Sequence, residues 1–269
     1  MPSDPGLRLR KWYLDLVTPG GDVLVAYWGD VRFHHARFTY SGLLTSRRGA
    51  PPSTRRSIRA AEPPEEAGGL VRYRNPRLSI DGIWKETAPP LRERLFESAE
   101  GSVDWECVMP RADAKVKLEN GERLEGTGYV ERLEMSIAPW KLPLDELRWG
   151  RWHGPTETVV WIDWAGPLPL TRVFFDGERE ERAAVRDDAV TLPSAGAVVR
   201  FSGREPLREG TLGSTLLSRL PLLLRALPAW THGIVERKWR GRGSLCRAGE
   251  KASEGWALYE RVTFRKGNR

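Results

Sequence analysis

The sequence predicts an all-β protein, and three observations favour that fold class. The chain contains 12 tryptophans in 269 residues, and indole side chains are enriched in strands and in ligand-lined cavities. It also contains 27 glycines and 20 prolines, which is typical of many turns and few long helices. Several segments alternate apolar and polar residues, as half-buried strands do. With 40% hydrophobic residues, the chain can bury one large β core or two small ones.

The N-terminal part predicts a series of short strands. Residues 12–17 and 23–28 flank a Pro-Gly-Gly-Asp turn, and further aromatic residues continue the pattern towards residue 44. Residues 46–69 differ, because they combine paired prolines with clustered charges of both signs. We expect a solvated loop there, with a lid or headgroup-steering loop as the functional alternative. Strands resume at 70–73 and 78–84, and the segment 91–96 predicts neither type of element clearly.

The central stretch, residues 105–152, contains a hairpin signal. Residues 115–118 alternate charged and apolar side chains, and Asn120-Gly121 is the strongest short hairpin signal because a type I′ turn needs positive φ at both central positions. The return strand passes through Gly-Thr-Gly-Tyr at 126–129. Residues i and i+2 share a strand face, so Tyr129 and Glu131 point one way while Val130 points the other.

The C-terminal part predicts more strands and one helix. Residues 158–164 (TVVWIDW) form a strand with Trp161 and Asp163 on one face, and 170–175 pairs with 183–185 through Asp176-Gly177. Further strands are expected at 190–192, 198–201 and near 256–264. No internal sequence repeat is visible.

Residues 212–230 are the one good helix candidate, because leucines recur at three- and four-residue steps. Pro221 should kink this helix, and Arg219 and Arg225 argue against a membrane span. We expect a helix packed against the β structure, with a membrane-touching or cavity-capping helix as the alternative.

One group of motifs resembles a known family. In chain order these motifs are Trp105, Pro110-Arg111-Ala112, Gly-Thr-Gly-Tyr-Val-Glu at 126–131, Pro143-Leu144 and Trp149-Gly150-Arg151. Together they are similar to the carotenoid 1,2-hydratase family, which belongs with AttH-like proteins and, more distantly, with tocopherol cyclases. The match covers residues 103–153. The resemblance implies two lipocalin-like β-barrel or sandwich units packed together, which we place at 1–145 and 146–269.

The resemblance also implies an active site. The family's catalytic Tyr-x-Asp pair and upstream tryptophan fall on Tyr129, Glu131 and Trp105, with Glu in place of Asp. The related cyclases also carry a Glu two residues after a Tyr. We therefore expect acid-catalysed hydration or cyclisation of an alkene in an isoprenoid or other apolar substrate. The structural alternatives are an ion-paired Glu131, with Arg148 or Arg151 as its partner, and core packing for the two aromatic residues.

Five further side chains are candidates for substrate binding. These are Trp140, Trp149, Trp161, Asp163 and His153. An inward-facing Asp163 would be the second acid of the chain, and His153 would assist proton transfer near Glu131. The adjacent pair His34-His35 faces opposite ways on a strand, so it does not simply chelate one metal ion.

Charge and cysteine content exclude several classes of function. The net charge of +7 is spread along the chain with no nucleic-acid-binding motif, so no nucleic-acid partner is expected, whereas peripheral contact with an anionic membrane fits. Cys107 and Cys246 show no metal-ligand spacing, and the N-terminus lacks the apolar core of a signal peptide. We expect a cytoplasmic protein without metal or cofactor. A non-catalytic carrier of a hydrophobic small molecule is the alternative function.

Overall fold

The structure, a computed structural model, describes residues 6–119, 121–211 and 234–264, and most of them lie in antiparallel strands. The predicted all-β fold is confirmed. The chain separates into two compact units, Met1–Leu142 and Pro143–Arg269.

The first unit contains one ten-stranded sheet. Its strands are β1 (Leu7–Val17), β2 (Val23–Phe33), β3 (Ala36–Ser46), β4 (Ser53–Ser57), β5 (Glu65–Ala67), β6 (Leu70–Asn75), β7 (Ile80–Glu86), β8 (Leu91–Ser98), β9 (Gly101–Leu118) and β10 (Arg123–Met135). The order across the sheet is β4-β3-β2-β1-β10-β9-β7-β6-β5, and β8 pairs with β9. The N-terminal strand β1 therefore lies directly beside β10, which carries Tyr129 and Glu131.

The second unit contains a nine-stranded sheet. Its strands are β11 (Glu146–His153), β12 (Thr158–Ala165), β13 (Leu170–Phe175), β14 (Glu178–Arg179), β15 (Ala184–Val185), β16 (Ala189–Leu192), β17 (Ala197–Thr211), β18 (Val235–Arg247) and β19 (Ser253–Thr263). Their order is β14-β13-β12-β11-β19-β18-β17-β16-β15, which repeats the order of the first sheet with β8 left out. The repeat is one of topology, because the sequence shows none.

The first sheet curves around its own core. Strands β2 and β6 are five positions apart in the sheet, so about 24 Å would separate them if the sheet were flat. The hydroxyl of Tyr73 on β6 nevertheless donates to the backbone oxygen of Tyr27 on β2 at 3.5 Å. The two ends of the sheet thus close on one buried cluster, which includes Trp12, Leu14, Leu24, Trp28, Tyr73, Trp84, Met109, Val116 and Val130.

A glycine in the Gly-Thr-Gly-Tyr segment makes room for part of this core. The indole of Trp84 crosses from β7 and donates from Nε1 to the backbone oxygen of Asp15 on β1 at 2.7 Å. Gly128 lies beneath this indole, and a Cβ atom there would come within 2.5 Å of Trp84 Cδ1 and 2.8 Å of Ala114 Cβ. Gly128 is therefore needed for packing, because any larger side chain would displace Trp84.

The predicted loop at residues 46–69 is partly wrong, since β4 and β5 lie within it. Both are short edge strands with mostly exposed residues. They show no alternation of apolar and polar residues, because neither face is buried. Segment 91–96 falls in β8.

Two predictions fall on undescribed residues. The helix at 212–230 and the turn residue Asn120 lie outside the described ranges, although Gly121 has the positive φ of 80° that the turn requires. Within those ranges the only helical element is the single 3-10 turn Pro139–Lys141, and no helix is long and apolar enough to cross a membrane.

Replacement of Gly128 by Ala tests the packing of Trp84. We expect Gly128→Ala to lower the free energy of unfolding by about 1–3 kcal/mol, because the added methyl group overpacks the contact with Trp84. Denaturant unfolding followed by tryptophan fluorescence measures this loss. Gly20→Ala is the matched control, since the nearest atom to its Cβ lies 3.8 Å away. Equal stability of the two variants would contradict the packing role.

Candidate active site

Three side chains of the first unit meet at one carboxylate oxygen. Trp105 Nε1 on β9 donates to Glu131 Oε2 at 2.7 Å, and the Tyr129 hydroxyl on β10 donates to the same oxygen at 2.7 Å. Glu131 is only 8% exposed, and Trp105 and Tyr129 are 3% and 0% exposed. The structure therefore brings together the three residues that the resemblance assigns to catalysis, and it places the Glu131 carboxyl away from solvent.

Two irregularities in the β9–β10 pairing shape this site. Gly128 pairs with Ala112, Val130 with Met109 and Arg132 with Glu106, so β9 carries one extra residue in each interval. Such bulges bend a strand and change the direction of nearby side chains. The first interval contains Pro110, a residue that a sheet accepts at a bulge because it has no N–H to donate.

The phenol of Tyr129 is a stable hydrogen-bond donor. Burial raises its pKa well above the usual value of 10.0, and the neighbouring Cys107 and Glu131 raise the pKa further. Tyr129 therefore keeps its proton at neutral pH and can donate it to Glu131. Cys107 is fully buried and hydrogen-bonds with Tyr129, and burial also raises the pKa of its thiol.

The site lies on the sheet face opposite the hydrophobic core of the first unit. Val130 belongs to that core, so its neighbours Tyr129 and Glu131 project from the other side of β10. Tyr13 on β1 is the cross-strand partner of Glu131, and its ring lies edge-on to that of Tyr129 with centroids 6.0 Å apart. Asp15 is the partner of Tyr129, and it is fully buried.

Sequence reasoning missed Tyr13 and Asp15 as site residues. The available signal was a carboxylate inside the apolar run 12–17, which is unusual for a strand buried on both faces. Only the register of β1 against β10 shows that Asp15 lies beside Tyr129.

The opposite face of β10 carries a separate ion-pair cluster. Glu106 is bound by Arg92 at 2.7 Å and by Arg132, whose guanidinium also lies 5.2 Å from the ring centroid of Trp12. Burial alone would raise the pKa of Glu106, but the hydrogen bonds and charges of Arg92 and Arg132 outweigh it, so the pKa is lowered. Arg132 points away from Glu131, as the strand alternation predicts.

Trp140 is not brought to Glu131. It lies in the 3-10 turn and contacts Phe33, with ring centroids 6.1 Å apart. Phe33 is the cross-strand partner of Leu7 on β1, and Glu131 is the partner of Tyr13 on the same strand. Leu7 and Tyr13 are six residues apart. That separation is about 20 Å along the strand.

The other candidates for substrate binding belong to the second unit. Trp161 lies in the core of that unit and stacks on Phe201 with centroids 5.4 Å apart. Asp163 faces the same side, where Arg148 lies 3.6 Å away and Thr171 Oγ1 donates to it at 2.7 Å. The structure thus places Asp163 in an ion-pair cluster.

Trp149 and His153 lie on the face of β11 that points away from the core of the second unit. Both are buried, and Trp152, which lies between them along the chain, belongs to the core. The ammonium group of Lys238 lies 4.9 Å from the ring centroid of Trp149. Of the proposed partners of Glu131, Arg148 pairs with Glu146, Asp163 and Asp187, and Arg151 donates to the backbone oxygen of Trp256.

Among the described residues, no group of three or more His, Cys, Asp or Glu side chains is arranged to hold a metal ion.

The raised pKa of Tyr129 predicts a late ionisation. The stability that the protonated phenol contributes is present below about pH 10 and is lost as the pH rises through the folded-state pKa. We expect the tyrosinate absorbance of Tyr129 to appear only with alkaline unfolding. In Tyr129→Phe, the rise in tyrosinate absorbance that accompanies alkaline unfolding should be smaller by one tyrosine. The rise at lower pH, which comes from the other tyrosines, should stay unchanged. Loss of amplitude from the earlier step would contradict the burial of this phenol.

Comparison with solved structures identifies the fold. CghA matches with a TM-score of 0.58 at 9% identity, over 98% of this chain and 90% of that chain. Kievitone hydratase from Nectria haematococca matches with 0.53 at 11% identity, over 96% and 89%. An AttH candidate from Nitrosomonas europaea matches with 0.52 at 15% identity, over 96% and 92%.

No family model and no curated protein matches the sequence. The expected likeness to AttH-like proteins is confirmed in the fold, since the chain shares the architecture of the Nitrosomonas AttH candidate and of kievitone hydratase over almost its whole length.

Proposed function

We propose that this protein is an acid-catalysed hydratase or cyclase that acts on an alkene in an isoprenoid or another apolar substrate. The observation that carries the proposal is the buried Glu131 carboxyl, whose Oε2 accepts hydrogen bonds from both Trp105 and Tyr129. The fold shared with a protein named kievitone hydratase supports the same class of reaction.

Protonation of an unactivated alkene needs a carboxyl group that still holds its proton at working pH. Burial favours the neutral form of a carboxylic acid. A neutral carboxylic acid accepts hydrogen bonds at its carbonyl oxygen and carries its proton on the other oxygen. In the protonated form of Glu131, we propose that Oε2, which accepts both hydrogen bonds, is the carbonyl oxygen and that Oε1 carries the proton transferred to carbon.

The aromatic side chains have a second role after protonation. Transfer of the proton to one alkene carbon leaves a carbocation on its neighbour, and the faces of Trp and Tyr rings stabilise cations. In hydration, water captures the cation and loses a proton to a carboxylate of the site. In cyclisation, a second double bond of the same molecule attacks the cation, and the new cation loses a proton to the Glu131 carboxylate. Neither route needs a cofactor, because the acid, the two aromatic rings and the attacking nucleophile supply these steps.

Glu131 is one methylene longer than the Asp that the resemblance predicts at this position. The indole and the phenol fix the position of this longer side chain, because both hydrogen bonds end on the same oxygen. We propose that Glu131 acts as the acid in place of Asp, as the position of Glu in the related cyclases suggests.

We place the protein in the cytoplasm, in peripheral contact with membranes that hold its apolar substrate. Both described cysteines are free thiols, which fits a reducing compartment, and the net charge of +7 favours anionic lipid surfaces. We further propose that each of the two units is a lipocalin-like domain, because they repeat one strand order.

Replacement of Glu131 by Gln tests the proposed acid. We expect Glu131→Gln to lower turnover of an acyclic carotenoid in detergent micelles by about 10²–10⁴-fold, because the amide cannot donate a proton to carbon. Mass spectrometry in ¹⁸O-labelled water reports the reaction, since hydration adds one labelled water and cyclisation leaves the mass unchanged. Glu134→Gln is the matched control on the same strand, because Glu134 is exposed and should leave turnover unchanged.

Two results would reject this assignment. Unchanged turnover in Glu131→Gln would show that another group supplies the proton. Tight binding of the carotenoid by the wild-type protein, with full recovery of unmodified ligand, would instead establish the non-catalytic carrier.

A further inference from the structure

The first unit holds a second buried carboxylate on the face of the candidate site. Asp15 on β1 is 0% exposed. Its neighbours Leu14 and Leu16 both belong to the hydrophobic core, so Asp15 projects from the opposite face of the sheet, as Glu131 does. A buried carboxylate costs free energy unless it is paired or hydrogen-bonded, and such groups cluster at functional sites.

The register of β1 against β10 places Asp15 beside the proposed acid. Asp15 is the cross-strand partner of Tyr129, and Tyr13 is the partner of Glu131. Asp15 and Glu131 are therefore diagonal neighbours on one face, a relation that separates residues by about 7–8 Å. Tyr129 lies between them, because it faces Asp15 across the strands and donates to Glu131 at 2.7 Å.

The electrostatic environment of Cys107 is consistent with this closeness. Burial is the main reason for the raised pKa of the Cys107 thiol, and Glu131, Asp15 and Glu106, when ionised at the high pH where this thiol titrates, raise it further in that order. Both carboxylates thus lie within electrostatic range of the same buried sulfur atom, which itself hydrogen-bonds with Tyr129.

The backbone of Asp15 is held firmly. Its carbonyl oxygen accepts the indole N–H of Trp84 at 2.7 Å, and Gly128 leaves the space that this indole occupies. A carboxylate on a strand fixed from the core side keeps a defined position on the site side, as an acid–base group must.

We propose that Asp15 is the second catalytic carboxylate of this site and acts as the general base on the water that captures the carbocation. This role rests on the proposed function of Glu131. Inverting glycoside hydrolases use a comparable pair of carboxyl groups, in which one donates a proton to the substrate and the other activates water.

The proton balance of the cycle is complete with these residues. Glu131 gives its proton to one alkene carbon, and the π electrons form the new C–H bond. A lone pair of water then forms the C–O bond at the cationic carbon, while Asp15 removes a proton from that water. The proton returns from Asp15 to Glu131 through water, so the net reaction is addition of one water molecule and requires no oxidant or reductant.

The two carboxylates can be distinguished by deuterium exchange. In D₂O, Glu131 deuterates the alkene, and a cation that is not captured by water loses a proton and returns deuterium-labelled alkene. We therefore expect Asp15→Asn to reduce hydration of an acyclic carotenoid in detergent micelles by about 10²-fold or more while deuterium still enters the recovered alkene. Glu131→Gln should lose both reactions.

Two further variants complete the experiment. Asp113→Asn is the matched control, since Asp113 is an exposed aspartate on the neighbouring strand β9 and should leave both reactions unchanged. Asp15→Glu keeps a carboxylate and should recover part of the hydration lost in Asp15→Asn. Circular dichroism and thermal unfolding show that each variant is folded.

The outcomes separate this inference from the proposed function. Full hydration by Asp15→Asn overturns the role of Asp15 while leaving Glu131 as the acid. Loss of both hydration and exchange in a folded Asp15→Asn also overturns it, because a base for water is not needed to protonate the alkene. Turnover in Glu131→Gln, or a wild-type protein that neither hydrates nor labels the carotenoid, overturns the proposed function and with it the role of Asp15.

Discussion

The candidate site depends on one oxygen atom that accepts two hydrogen bonds. Glu131 Oε2 receives the indole N–H of Trp105 and the hydroxyl of Tyr129. This geometry requires a protonated phenol, and the burial that raises the pKa of Tyr129 ensures it. Two bulges in β9 lie beside this contact and change the direction of the side chains around Cys107 and Pro110.

The central strands of the first sheet are buried on both faces. Antiparallel sheets often bury one face and expose the other to water, but Leu14 and Val130 lie in the core while Asp15 and Tyr129 are buried on the other side. Polar groups on that second face must find hydrogen-bond partners, since unpaired buried polar atoms are costly. The mutual contacts of Trp105, Tyr129 and Glu131 meet this requirement and at the same time form a site suited to acid chemistry.

Packing in the hydrophobic core of the first unit fixes the strands β1 and β10 that carry the site. The indole of Trp84 reaches β1 only because Gly128 has no side chain. Gly126 is also required for packing, because a Cβ atom at this residue would lie 2.1 Å from the backbone oxygen of Val17. The glycines of the Gly-Thr-Gly-Tyr segment therefore act through close packing, whereas the tyrosine that follows them donates its hydroxyl to Glu131. The second unit repeats the strand order but places an ion-pair cluster of Arg148 and Asp163 on the core-facing side of its strands.

The sequence by itself determined the all-β fold, the central hairpin and the shared face of Tyr129 and Glu131, because alternation and turn residues are local properties. The family resemblance added Trp105. Only the tertiary structure decided that Asp15 lies beside Tyr129, since residues more than 100 positions apart meet through the pairing of β1 with β10. It also decided that Trp140 lies far from Glu131 and that Asp163 pairs with Arg148. Strand order, register and bulges depend on contacts between distant segments, and no local pattern of residues encodes them.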